Sequence, residues 1–441
     1  YLYSHPLAPR HERARARTKT NATCARASPV VVCARRRPSK RVVPPTPLAG
    51  AMNAHASKRP PAPASAATTK TKRRKHAMRA SSAARASASD ASGATRRAWE
   101  ISKKGNLQNL KLNERAAREA LGPNECRIAV RAIGLNFADV FTVLGLYSAA
   151  PEGTFVPGLE CCGEVVETAS GSNFVVGDRV MCVVRFGAFA DEINCPVTQM
   201  RKLPNGWSFE EGSAFLVQGL TSYYGLKALG DVRKNASVLV HSAAGGCGLQ
   251  SLGICERVGA KAIAVIGNPS KVDTLKERFP SLKAIIVRDR KRFAKQVRDA
   301  CEAIGASEGV DIVFDATLGD FFQGGWENLA RGGRYVVYGA ADLTPRGDSI
   351  GLLGWIKLAW KFVRRQKVDP LMLPGENKGI LGFNLIWQFD RQEELARLLA
   401  ELLALDLPAP KVGATFEFSQ LPEALRLFQT GQTTGKVVVK I

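Results

Sequence analysis

The segment His241-Ser242-Ala243-Ala244-Gly245-Gly246-Cys247-Gly248 sets three glycines into four positions, directly after the largely apolar run Ala236–Val240. A helix starting at such a turn presents unpaired main-chain N–H groups, and missing side chains let an anion come close. Ala244, Gly245, Gly246, Cys247 and Gly248 are therefore expected to cradle the pyrophosphate of a dinucleotide; the alternative is a tight turn without a ligand. The next strand-like run, Ala262–Gly267, ends where an enzyme that prefers NADH carries an acid to accept from the ribose 2′-hydroxyl. Here Asn268-Pro269-Ser270-Lys271 follows, and the first acid is Asp273. Ser270 and Lys271 offer a hydroxyl and a cation to a 2′-phosphate, which points to NADPH. The alternative is that Lys271 only opens a solvated helix face.

Such residues need strands and helices in alternation to hold them. After about residue 216 the apolar runs "ASVLVHSA", "KAIAVIG", "AIIV", "VDIVFDAT" and "GGRYVVYGA" read as buried strands. "GLQSLGICERVGA" and "RFAKQVRDACEAIG" read as helices between them. The result is an α/β, doubly wound parallel sheet. The preceding region, with alternating apolar residues broken by glycines, reads as a smaller, irregular β-rich lobe.

The motifs "AIGLNFADVFTVLGLY", "PGLECCGEV", "GDRV", "GLTSYYGL", "HSAAGGCGL" and "GQTTGKVVVKI" occur in this order. Together they resemble the zinc-free quinone oxidoreductase branch of the medium-chain dehydrogenase/reductase superfamily, most of all its vesicle amine transport group. The resemblance implies a GroES-like β-rich catalytic lobe from 98–215 and 379–441, and a Rossmann cofactor lobe from 216–378. It implies that Asn136 and Tyr147 orient a substrate carbonyl, that Thr221 touches the nicotinamide, and that Arg288 meets the 2′-phosphate where the family often has Tyr. Zinc-dependent relatives bind their metal through a Cys and a His; Asn136 and Leu159 stand at those positions, so no metal is expected. Without a Lewis acid, the fitting acceptors are already electron-poor: quinones or α,β-unsaturated carbonyls. Water or a ribose hydroxyl would supply the proton. Phe141 and Gln218 depart from the family's usual hydroxyl and lysine, which keeps open a second reading, an NADPH-binding, membrane-associated regulator or lipid-handling protein with little turnover. Asp139 falls on the pattern too and reads as structural.

Charge is unevenly divided. Residues 1–97 hold 22 Lys+Arg against Glu12 and Asp90, leaving 41 basic and 37 acidic residues for the rest. The folded part is thus no polyanion binder, and no nucleic-acid partner is expected. The tail lacks the apolar residues to fold and, being rich in Arg and Ser and poor in acids, reads as an organellar transit peptide with Met52 or Met78 as its start. The alternatives are translated non-coding sequence, a nuclear signal in "KTKRRKHAMR", or a cytoplasmic or peripheral membrane location. The ten cysteines show no Cys-x-x-Cys spacing and suit a reducing compartment, with Cys161 and Cys162 read as two small buried residues rather than a redox pair. The insertion at 348–375 reads as a helix capped by Asp348 or Ser349. Lys357, Lys361, Arg364 and Arg365 form a cationic face among apolar residues. It is expected to pack over the cleft or in a homodimer interface, or to lie through 348–365 on an anionic membrane.

Overall fold

The computed structural model describes residues 95–441; the readings made for residues 1–94 lie outside it. In chain order the strands are β1 Thr95–Ile101, β2 Leu110–Ala117, β3 Glu125–Gly134, β4 Glu160–Thr168, β5 Arg179–Val183, β6 Glu192–Pro196, β7 Met200–Lys202, β8 Ser237–Val240, β9 Lys261–Ile266, β10 Ala284–Val287, β11 Val310–Asp315, β12 Leu329–Val337, β13 Gly379–Gly382, β14 Val412–Glu417 and β15 Lys436–Lys440. Six helices bear on the site: α1 Phe137–Val143, α2 Leu216–Tyr223, α3 Gly246–Val258, α4 Leu352–Val363, α5 Gln392–Ala404 and α6 Leu421–Gln429.

The cofactor sheet is wholly parallel in the order β10-β9-β8-β11-β12-β13. Its inner strands β8, β9 and β11 are buried on both faces, and their side chains alternate between two cores. Val238 and Val240 enter one core with Ile312 and Phe314, while Leu239 enters the other with Val313 and Tyr335. The catalytic lobe is a mainly antiparallel sheet in the order β14-β15-β3-β4-β5-β7, with β6 on β3, and a separate pair β1-β2. The last strand of the chain therefore lies beside the third, which draws residues some 300 positions apart into one place.

Several boundaries differ from the expectation. Strand β1 starts at Thr95, ahead of the expected limit at 98, and Arg97 within it gives both its main-chain N–H and its Nε to Asp191 (2.9 Å each). Gly379–Gly382 belongs to the cofactor sheet, as the parallel neighbour of β12, and not to the catalytic lobe. Helix α5, expected to return to the catalytic lobe, joins both lobes: Leu395, Leu398, Leu399 and Leu402 enter a core that holds Val238 and Val240 of the cofactor sheet and also Leu159, Cys162 and Met181 of the catalytic lobe, and the Ala396 carbonyl accepts from Arg201 (2.9 Å). Helix α6 does return, burying Leu421, Leu425 and Phe428 among the catalytic-lobe residues.

The insertion helix starts at Leu352 with Gly351 as its cap. Asp348 is taken instead by the guanidinium of Arg426 (2.6 Å), a stronger partner than a helix N–H, and by Gln108 (3.1 Å). Lys357 and Lys361 border the cavity described below, while Arg364 and Arg365 at the helix end are exposed. Cys161 and Cys162 are free and sit on opposite faces of β4, in different cores, as alternation along a strand dictates.

Candidate functional site

A cavity of about 1570 Å³ runs between the lobes and is lined by the glycine turn, by Asn136, Tyr147 and Thr221, and by Lys271 and Arg288. The three glycines of the turn answer to three different demands. Gly245 caps α3, and a Cβ there would meet nothing nearer than the Ser242 carbonyl at 3.3 Å, so its cavity side is open. At Gly246 a Cβ would fall on the Gln218 amide, 1.8 Å from Oε1. At Gly248 it would strike the Ala243 Cα at 2.5 Å, where the helix presses on the chain leaving β8. The Gly245 N–H is spent on the Ser242 carbonyl (2.9 Å), so the N–H groups this thirteen-residue helix can offer an anion are those of its first turn, from Gly246 on. Ser242 enters the glycine turn with φ +52, a left-handed conformation held for a non-glycine residue, with its hydroxyl 3.2 Å from that of Thr317. Cys247 turns inward: burial pushes its thiol up to about 12, and its carbonyl accepts from Ser222 and Ser251. The Ala244 carbonyl accepts from Gly435 at 2.9 Å.

Beyond β9 and β10 stand two cations. Lys271 donates to the carbonyls of Thr433 (2.7 Å) and Gly431 (3.3 Å). Arg288 sets its guanidinium carbon 4.5 Å from the centre of the Phe321 ring and makes no ion pair among the described residues. Burial, and then the Arg288 charge, hold the Lys271 ammonium below its usual range; burial does the same to Arg288. A bound anion would relieve both. Ser270, by contrast, is exposed and outside the lining, because the Asn268 side chain accepts from the Ser270 N–H (3.0 Å) and closes a turn that carries the hydroxyl away.

The acceptor end is built differently. Asn136 reaches the cavity wall, yet its Nδ2 donates to Glu160 (2.9 Å) and to the Gly134 carbonyl (3.2 Å), and its Oδ1 accepts from Lys436 (2.8 Å). Lys436 and Glu160, both buried, are ion-paired, and the other Glu160 oxygen accepts from the Val217 N–H at the start of α2 (2.9 Å). The amide expected to receive a carbonyl is thus already engaged by the protein. Tyr147 donates to Asn384 Oδ1 (2.9 Å), and burial pushes its hydroxyl up to about 12, so it keeps its proton at neutral pH. Thr221 borders the cavity with its hydroxyl bonded back to the Val217 carbonyl (2.7 Å). Asp139 accepts from the Asn136 N–H (2.7 Å) and caps α1, a structural part as expected. Burial raises its carboxyl to about 7, opposed by that N–H and by Lys436.

Glu160, Lys436 and Asn384 were not singled out from the sequence. The first two carried a signal, an acid in "PGLECCGEV" and a base in "GKVVVKI", each charged inside an apolar run; nothing said that they pair. A zinc ion does not fit: Asn136 and Leu159 are no replacements for thiolate and imidazole, and no group of three His, Cys, Asp or Glu side chains able to hold a metal occurs among the described residues.

Residues 122–205 match the family model of the alcohol dehydrogenase GroES-like domain, and 284–439 that of the zinc-binding dehydrogenases. The synaptic vesicle membrane protein VAT-1 homolog of Rattus norvegicus is 32% identical over 340 residues, 76% of this chain and 81% of its own. The quinone oxidoreductase-like protein 2 homolog of Nematostella vectensis is 30% identical over 75% of this chain and 85% of its own. A mycobacterial structure complexed with NADPH superposes with TM-score 0.66 at 26% identity, over 79% of this chain and all of that one.

Proposed function

The chain belongs to the medium-chain dehydrogenase/reductase superfamily of oxidoreductases, and we propose that it uses NADPH, without zinc, to reduce quinones or α,β-unsaturated carbonyls. The observation that carries this is the charge of the cavity: its lining holds Lys271, Arg288, Arg346, Lys357 and Lys361 but a single acid, Asp342. No carboxylate waits for a ribose 2′-hydroxyl, and Arg288 is free to meet a phosphate. The mycobacterial neighbour's NADPH and the quinone oxidoreductase-like relative support the same reading.

The bound cofactor would supply hydride. The glycine turn would take its pyrophosphate on open N–H groups, with Arg288 and Lys271 at the 2′-phosphate. The Tyr147 hydroxyl, protonated at neutral pH, is the donor available to a substrate carbonyl that displaces Asn384. Asn136, locked by Lys436 and Glu160, shapes the wall behind that carbonyl. Fluorescence titration with NADPH and NADH tests the cofactor. Arg288→Ala should weaken NADPH by about tenfold or more and leave NADH nearly unchanged, since one charge-assisted contact is lost. Equal loss for both would remove the 2′-phosphate assignment. Oxidation of NADPH with quinone and enone panels tests the reaction.

A second reading, a membrane-associated protein of low turnover, is favoured by the outward face of α4, which shows Leu352, Trp355, Ile356, Trp360 and Val363 to solvent. No acid lies between Asp348 and Asp369, while Arg364, Arg365 and Lys367 flank the helix end. These features suit an anionic bilayer. The full chain should float with phosphatidylserine-containing vesicles at low salt and Trp360→Glu should not. Failure of the unaltered chain to float would sink this reading.

A further inference from the structure

Arg288 stands where the family often has a tyrosine, and the two side chains reach a ligand differently. A tyrosine carries its hydroxyl on a rigid ring, whereas a guanidinium ends a flexible stem and needs neighbours to fix it. Two neighbours are at hand. The Arg288 guanidinium carbon lies 4.5 Å from the centre of the Phe321 ring. At Gly267 a Cβ would stand 3.2 Å from Arg288 Nη2 and 3.3 Å from its Nε, so the bare main chain there leaves the guanidinium its place. All three residues border the cavity.

Phe321 is itself held in an unusual way. It follows a turn in which Leu318 takes φ +55 and ψ −143, a conformation that belongs to glycine, with Gly319 next at φ +62. Such a turn persists only when its surroundings fix it, and here the fixing group is a carboxylate. Asp315, fully buried at the end of β11, accepts from the N–H groups of Thr317 (2.5 Å) and Leu318 (3.2 Å), and from the Tyr335 hydroxyl (2.7 Å). His241 Nδ1, at 3.6 Å from the same carboxylate, stays outside hydrogen-bond distance. The Phe321 ring then packs edge-on against Phe293, with the ring centres 5.2 Å apart. A buried carboxylate and a glycine-like conformation at a leucine are each unfavourable alone. Together they set one ring beside one cation.

Resting on the NADPH reading above, we propose that Phe321 is a positioning residue for the choice of cofactor. Its ring holds the Arg288 guanidinium ready for the 2′-phosphate through a cation–π contact, and the Tyr335–Asp315 pair keeps the ring in place by fixing the turn before it. A cation already placed meets the phosphate without the loss of side-chain freedom that an unheld one suffers. NADH has no group for this cation, so Phe321 acts on the preference between the two cofactors and not on the parts they share.

Fluorescence titration of the full chain with NADPH and with NADH gives the ratio of their dissociation constants. Phe321→Leu keeps an apolar side chain against Phe293 and removes the ring face. It should lower the preference for NADPH by about three- to tenfold, the range of a partly buried cation–π contact, and leave NADH affinity within about twofold. Phe321→Tyr keeps the ring and should keep the preference. In an Arg288→Ala background, Phe321→Leu should have no further effect on the ratio, because it acts through that cation. Equal losses for NADPH and NADH overturn the inference by making the ring part of the common cofactor wall. A loss of preference that persists in the Arg288→Ala background also overturns it, by setting the ring against the 2′-phosphate end itself. An unaltered chain that binds both cofactors alike removes the NADPH reading and this inference with it, whereas a clear NADPH preference that Phe321→Leu leaves intact overturns this inference alone.

Discussion

The two ends of the cleft are made on opposite plans. At the cofactor end, the first turn of α3 has N–H groups without a helical partner and Arg288 has no anionic partner among the described residues, so these polar groups are held ready for a ligand. At the acceptor end, Asn136, Glu160 and Lys436 spend their polar groups on one another. The same residue type therefore has two trades. Lys271 reaches into the cavity, whereas Lys436 is a buried strut that fastens β15 to β4 and, through Glu160, to the start of α2.

Removing each lysine would sharpen or break that contrast. In Lys436→Met the Glu160 carboxylate stays buried without its counter-charge, which costs on the order of 3–5 kcal/mol. Urea unfolding should show the loss, and Lys436→Met with Glu160→Gln should recover most of it, because the orphaned charge is gone. Lys271→Met should change stability by less than about 1 kcal/mol and act on NADPH affinity instead. A Lys436→Met chain as stable as the unaltered one would make the acceptor end a poised site after all.

The cofactor end was legible in the sequence because its parts are local. A strand, three glycines and a helix are consecutive, and each glycine's reason, open face or close approach, follows from that turn alone. Ser270 was misplaced for an equally local cause: the Asn268 side chain closes the turn, and a residue pattern does not show which way a hydroxyl leaves it. The acceptor end is assembled from distant segments. Asn136 meets Lys436 across 300 positions and Tyr147 meets Asn384 across 237, pairings that only the docking of β15 on β3 and the path after β13 create. The domain limits slipped for a related reason: Gly379–Gly382 has the length of a loop, and it becomes a strand by adding to β12.

The pH dependence of stability should also divide the two ends. Asp139 belongs to the buried network, and its carboxyl is raised to about 7 by burial, above the value it has unfolded. The folded chain therefore binds a proton between about pH 4 and 7 that the unfolded chain has released, so its stability is full at the acid end and declines as pH rises toward 7. In Asp139→Asn that decline should shrink by up to a few kcal/mol, with the Asn136 N–H still accepted by the new amide oxygen. Identical pH profiles for the two chains would mean that this carboxylate is solvated and the network looser than its hydrogen bonds indicate.

The smallest effect separates two neighbouring glycines. A methyl group at Gly248 would press on the Ala243 Cα at 2.5 Å and the Ser242 carbonyl at 2.4 Å, main-chain atoms that move only with β8 and α3 themselves. Gly248→Ala should therefore cost about 1–3 kcal/mol of stability. A methyl group at Gly246 meets only the Gln218 amide, the far end of a flexible side chain, and an alanine in the first turn suits the helix. Gly246→Ala should leave stability within about 1 kcal/mol and weaken NADPH a few-fold by pushing Gln218 into the cofactor's space. Adding Gln218→Ala should restore the affinity. If it does not, the methyl group itself obstructs the pyrophosphate, and Gly246 joins Gly245 as part of the open anion-binding face.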